Sequence, residues 1–153
     1  MIFRAPFPDV TIPEVPITPF VLQKAKELGN KPALIDGPSG RTYTYAQLPN
    51  LIGRLAAGLA LQGVKKGEVF AIYSPNLPEV ALAFHAVASL GAATTMVPPP
   101  FIDEEIIKQL KDSGARYLLT VPQLIQNAQN VAEAGEAGKC RSLGSARSGI
   151  RSG

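Results

Sequence analysis

The sequence predicts an α/β fold built on a parallel β-α-β-α-β unit, preceded by a helix and a β-hairpin. Three observations carry this. Val69-Phe70-Ala71-Ile72-Tyr73 is apolar without alternation, and Ala93-Thr94-Thr95-Met96-Val97 and Arg116-Tyr117-Leu118-Leu119-Thr120 repeat that character, as parallel strands covered on both faces do. Between the first two lies an apolar helical segment, residues 77–90, and between the second and third an amphipathic one, residues 103–113. Strands alternating with helices in this way require crossovers, which are expected to be right-handed.

Each element has a local cause. Thr18 and Pro19 read as N-cap and first residue of a helix running to Leu28, with Gly29 closing it. Residues 33–36 and 41–44 flank Gly37-Pro38-Ser39-Gly40 as a hairpin. Thr44 and Gln47 then form a capping-box-like start for a helix to about Gln62, stopped by Gly63, with Val64 able to pack back. Pro49 conflicts with that start. At the fifth helical position its missing N–H would remove a real i→i−4 bond, a defect of roughly 3 kcal/mol.

In residues 77–90, Asn76 is the expected N-cap, Glu79 its box partner, and Pro78 falls in the first turn, where a missing N–H costs little. A helix this apolar should be buried. In residues 103–113, Ile106, Ile107 and Leu110 share one face, Glu104 and Lys108 form an i,i+4 pair, and Gly114 fits a stop.

The 153 residues can bury a sizeable core, and the composition is that of an ordinary globular α/β protein. No apolar run reaches the roughly 18 to 20 residues of a membrane span, and residues 1–20 hold five prolines and no signal-peptide core. The single Cys140 cannot form an internal disulfide, which suits a reducing compartment, so a cytoplasmic location is expected.

The net charge of +3 divides unevenly. Residues 1–138 hold 11 Lys and Arg against 12 Asp and Glu, a balance of −1, whereas residues 139–153 hold Lys139, Arg141, Arg147 and Arg151 with no acid, giving +4. Nucleic-acid binding is therefore not expected, since it needs cations clustered on a folded face beside stacking aromatics. Ten of the last 15 residues are Ser, Gly or Arg, with no hydrophobic period and no strand. A frameshift or truncation near Gly138 explains that composition, and a Gly/Ser-type linker is the alternative; either way the tail is expected to be disordered.

Residues that invite a catalytic assignment have ordinary explanations. His85, the only histidine, lies mid-helix in an apolar setting without a Ser, Cys or carboxylate at triad or metal spacing. Cys140 lacks a paired histidine. Tyr43 and Tyr45 could stack, but their spacing places them on one face of a strand, where core packing is expected. Asp103, Glu104 and Glu105 open a helix, as the macrodipole favours. No residue is assigned a catalytic, cofactor-binding or metal-binding role.

Arg41-Thr42-Tyr43-Thr44-Tyr45-Ala46-Gln47-Leu48, Gly63-Val64-Lys65-Lys66-Gly67-Glu68, Ser74-Pro75-Asn76-Leu77-Pro78-Glu79, Leu90-Gly91-Ala92 and residues 108–117, in this order and spacing, resemble the N-terminal region of the adenylate-forming (AMP-binding) superfamily. Within it they are most similar to 4-coumarate–CoA ligase-like acyl-CoA synthetases. The resemblance spans roughly residues 16–138 and divides the chain into an extended Pro-rich segment (1–18), an incomplete N-terminal domain (19–138) and the basic tail (139–153). One departure is Pro98-Pro99-Pro100-Phe101, where relatives usually begin Asn-Pro and carry a Thr two residues later.

The resemblance implies a family that activates a carboxylic acid with ATP and Mg, then passes the acyl group from acyl-adenylate to coenzyme A. It also implies that the phosphate-cradling loop ending in Pro-Lys-Gly, the Thr-Glu pair, the ribose-binding Asp and the domain bearing the catalytic Lys lie further along a family member. Neither Gly-x-x-x-x-Gly-Lys-Ser/Thr nor Gly-x-Gly-x-x-Gly occurs in the 153 residues. The expectation is a ligase fragment inactive alone, binding no cofactor, whose partner is the remainder of the ligase and whose uncovered apolar surface favours self-association. The alternative is a stand-alone α/β module binding a small ligand or a protein at the carboxyl ends of its strands, at Ser74-Pro75-Asn76, Val97-Pro98-Pro99-Pro100 and Thr120-Val121-Pro122.

Overall fold

The computed structural model describes residues 6–8, 10–134 and 141–143. Its first helical stretch is broken: α1 (Ile17–Leu22) and α2 (Ala25–Leu28) are separated by a turn at Gln23 and Lys24, and Gly29 closes the second with φ +53°. Thr18 is not the N-cap expected of it. It lies inside α1, buried, with its hydroxyl 3.1 Å from both the carbonyl oxygen and Nδ1 of His85. The hydroxyl donates to the carbonyl and keeps lone pairs that face the ring nitrogen, so a buried polar group finds its partners on a residue 67 positions away.

The hairpin is as expected. β1 (Pro32–Ile35) and β2 (Thr42–Thr44) pair antiparallel, with Asp36 N–H donating to Arg41 O at 2.8 Å and Gly40 N–H to Asp36 O at 2.7 Å. Gln47 Oε1 accepts the Thr44 N–H at 2.8 Å, so the local bond of a capping box forms. The helix nevertheless starts later. Tyr45 N–H is taken by Lys31 O and Ala46 N–H by Gly29 O, which keeps this backbone alongside the start of β1 and delays α3 to Leu48–Leu61. Pro49 then occupies the second helical position, where the N–H would have no intrahelical partner, and the expected defect disappears. At the far end Gly63 adopts φ +94° and Val64, buried, donates its N–H to Leu59 O at 3.1 Å.

The remaining elements are β3 (Val69–Tyr73), α4 (Pro78–Ser89), β4 (Ala93–Val97), α5 (Asp103–Ser113), β5 (Tyr117–Thr120), a 3₁₀ turn (Pro122–Leu124), α6 (Ile125–Ala134) and β6 (Arg141–Leu143). The four later strands form one parallel sheet in the order β4-β3-β5-β6. Side chains alternate across it. Phe70, Ile72 and Tyr117 join α3 and α4 in one core, with Phe70 and Tyr117 stacked at 5.9 Å, while Ala71, Tyr73 and Leu118 join α5 and α6 in the other. The connection through α4 moves one way on one face and that through α5 moves back on the opposite face. Both crossovers thus share one hand, as the right-handed rule demands.

Three local expectations need correction. Leu77, in extended conformation, rather than Asn76, precedes the first turn of α4, and Glu79 reaches the hairpin instead of the backbone behind it. Lys108 pairs with Asp112, not Glu104, which sits in the first turn of α5 where free N–H groups favour an acid. Glu105 does complete its half of a box, accepting the Ile102 N–H at 3.1 Å. The third correction concerns the tail: Arg141–Leu143 is a strand, paired in parallel with Tyr117–Leu119. Backbone pairing along the free side of β5 needs no apolar period, which is why composition did not reveal it. The rest of residues 139–153, Cys140 included, lies outside the described residues.

Candidate functional site

The strand order reverses between β3 and β5, because the chain leaves β3 toward β4 and leaves β5 toward β6 on the other side. In open α/β sheets such a point, at the carboxyl ends of the strands, leaves a crevice. Here it holds a cavity of about 490 Å³. Ile72, Leu77, Val80 and Leu119 give apolar walls, and Ser74, Thr120, Gln123, Arg41 and Glu79 contribute polar groups.

These polar groups differ in what they have left to offer. Ser74, buried, donates its hydroxyl to Pro75 O at 2.9 Å. Glu79 carries three contacts: Tyr43 Oη donates to Oε1 at 2.6 Å, and Arg41 Nη2 lies 2.8 Å from Oε1 and 2.9 Å from Oε2. The rim is therefore a closed ion pair. Thr120 Oγ1 stands apart, buried and without a hydrogen-bond partner among the described residues. Such a group costs about 1–3 kcal/mol and calls for an explanation.

The electrostatics follow from these contacts. Tyr43 is pushed above the usual phenol pKa, first by its bond to the Glu79 carboxylate and then by burial. His85 is pushed down by burial. It lies on α4 with Nδ1 3.1 Å from the Thr18 hydroxyl and does not line the cavity. Tyr43 and Tyr45 both pack against the α3–α4 core. Asp103, Glu104 and Glu105 open α5, and no group of His, Cys, Asp and Glu suited to a metal occurs among the described residues.

A second hollow, about 420 Å³, lies between Ser74-Pro75-Asn76 and residues 96–100, at the ends of β3 and β4. A groove of about 540 Å³ runs along α5 from Phe101 to Ser113. The loops singled out in the sequence thus converge on the first two hollows. Glu79 and Thr120 were missed as a pair because they are far apart in the chain and lack any motif.

The family model described as AMP-binding enzyme matches residues 21–148. The chain belongs to this family. It is 35% identical over 133 residues to 4-coumarate–CoA ligase 3 of Arabidopsis thaliana, covering 86% of this chain and 24% of the relative. Against 4-coumarate–CoA ligase 4 of the same plant it is 38% identical over 135 residues, covering 85% and 24%. The fold matches a long-chain-fatty-acid–CoA ligase (FadD1) from Archaeoglobus fulgidus with TM-score 0.81 and 22% identity, over 94% of this chain and 30% of that one. It also matches the N-terminal domain of FACL13 from Mycobacterium tuberculosis, with TM-score 0.74 and 25% identity, over 82% and 32%. The expected membership and the N-terminal part of the adenylate-forming fold are both borne out. The chain spans about a quarter of the length of the curated relatives it matches. The family match continues past Gly138, where the resemblance had been expected to end, and takes in β6.

Proposed function

We propose that this chain supplies the N-terminal scaffold of an ATP-dependent carboxylic acid–CoA ligase and does not itself form acyl-adenylate. The observation that carries the reading is the match over residues 21–148 to the AMP-binding family, combined with a chain that spans about a quarter of its relatives. In the full reaction an acid and ATP give acyl-adenylate and pyrophosphate, and coenzyme A then displaces AMP. Holding ATP and acid in attack geometry needs converging donors and a metal site. The loops at the strand ends, Ser74-Pro75-Asn76, residues 97–100 and Thr120-Val121-Pro122, offer prolines where a phosphate cradle needs free N–H groups.

In this reading the scaffold packs against the portion of a ligase that the matched relatives carry beyond the aligned quarter. Exposed Ile17, Phe20 and Val21 on α1 and Phe84 on α4 support it, because large apolar side chains gathered on a surface favour association. A cytoplasmic setting accords with the absence, among the described residues, of any helix long and apolar enough to cross a membrane. The stand-alone module is not favoured, given the extent of the family match. Titration of the purified chain with ATP and Mg by calorimetry tests the reading. No saturable binding is expected, and a saturable isotherm in the submillimolar range would overturn it.

A further inference from the structure

We propose that the cavity between β3 and β5 is a binding site for a small neutral amphiphile, an apolar ring or branched body carrying one alcohol-like group that bonds Thr120. The proposal goes beyond the ligase reading and stands whether or not the chain binds ATP.

Three features select that chemistry. The walls formed by Ile72, Leu77, Val80 and Leu119 suit an apolar body, and a volume of about 490 Å³ exceeds the roughly 150 Å³ of a cavity that takes benzene. The rim does not select charge. Arg41 is engaged by Glu79, and Glu79 by both Arg41 and Tyr43, so an entering carboxylate would meet the Glu79 carboxylate and an entering ammonium would meet Arg41. Finally, Thr120 Oγ1 is an unpartnered hydroxyl on a residue lining the cavity. One rotamer step carries the threonine oxygen to a position that the methyl or the hydrogen now holds, and an oxygen so turned toward the cavity can give and accept a hydrogen bond there. A neutral hydroxyl in the ligand supplies what this group lacks and brings no charge to desolvate.

Three probes with the same ring separate the alternatives: cyclohexylmethanol, cyclohexanecarboxylate and cyclohexylmethylammonium. Each is titrated into the ¹⁵N-labelled chain and followed by amide shifts at residues 74–80 and 119–123. Cyclohexylmethanol is expected to move these amides saturably, at least tenfold more tightly than either charged probe. Thr120→Val, nearly the same shape and expected to stay folded, should weaken it about fivefold to tenfold. Leu77→Trp, which fills the cavity from its wall, should abolish the shifts while a thermal melt confirms folding. Absence of saturable shifts, a preference for a charged probe, or unchanged affinity in Thr120→Val would each overturn the proposal.

Discussion

Tyr43, on the hairpin, donates its phenol hydrogen to Glu79 in the first turn of α4 at 2.6 Å, tying together elements 36 residues apart in sequence. Glu79 was expected to close a capping box on its own helix. The hairpin's phenol and guanidinium both reach it instead, and the guanidinium adds a full positive charge that the backbone N–H behind it lacks. A double-mutant cycle with Tyr43→Phe and Glu79→Gln, read by urea unfolding, is expected to give a coupling of about 1 kcal/mol, with the carboxylate's 41% exposure discounting the usual charged-bond value. Arg41→Ala should cost less, about 0.5 kcal/mol.

The same contact predicts a pH dependence. Tyr43 has a folded-state pKa raised above 10.0, so the fold favours its protonated form. That contribution is fully present below the unfolded pKa and is lost as pH rises through the folded value. Unfolding midpoints of the wild type should therefore fall above pH 10 more steeply than those of Tyr43→Phe.

At the acid end the group to follow is Glu68. Its pKa is lowered first by the Lys65 N–H, which it accepts at 2.8 Å, with Tyr117 and Arg116 adding to the effect. A depressed carboxyl stabilises above its unfolded pKa of about 4.5 and loses that stability as pH falls through the folded value. Glu68→Gln should flatten the loss of stability below pH 4.5, as followed by circular dichroism.

Pro49 separates the two possible starts of α3. Were Thr44 the start, replacing Pro49 would gain roughly 3 kcal/mol. With the helix opening at Leu48, Pro49→Ala is expected to change stability by less than about 1 kcal/mol in denaturant titration.

Thr120→Val should raise the stability of the ligand-free chain by about 1–3 kcal/mol, because it removes a buried hydroxyl that has no partner among the described residues. A thermal or urea transition shifted to lower stability would show that the hydroxyl is satisfied in solution.

Much of the fold was legible because one rule sufficed for each element. Unalternating apolar runs marked β3, β4 and β5, and the glycines at 63 and 114, with φ +94° and +65°, marked two helix ends. What failed was decided by long-range contacts. The start of α3 depends on Lys31 and Gly29 holding Tyr45 and Ala46, and the role of Thr18 depends on His85, 67 residues away. The helix α6 escaped notice although Ala128 and Val131 lie three residues apart on its buried side. β6 carries no local signal and depends on an open strand side. The cavity was anticipated only as a place, the ends of the parallel strands; its closed rim and unpartnered hydroxyl are properties of the packing.

The central claim, a ligase scaffold without adenylation chemistry, is tested most directly by pyrophosphate exchange. Purified chain is incubated with ATP, Mg, labelled pyrophosphate and a panel of aromatic and aliphatic acids, and label returning to ATP is counted. The account predicts a rate no greater than that of a no-enzyme control for every acid. An acid-dependent rate clearly above that control, surviving repurification, would contradict it.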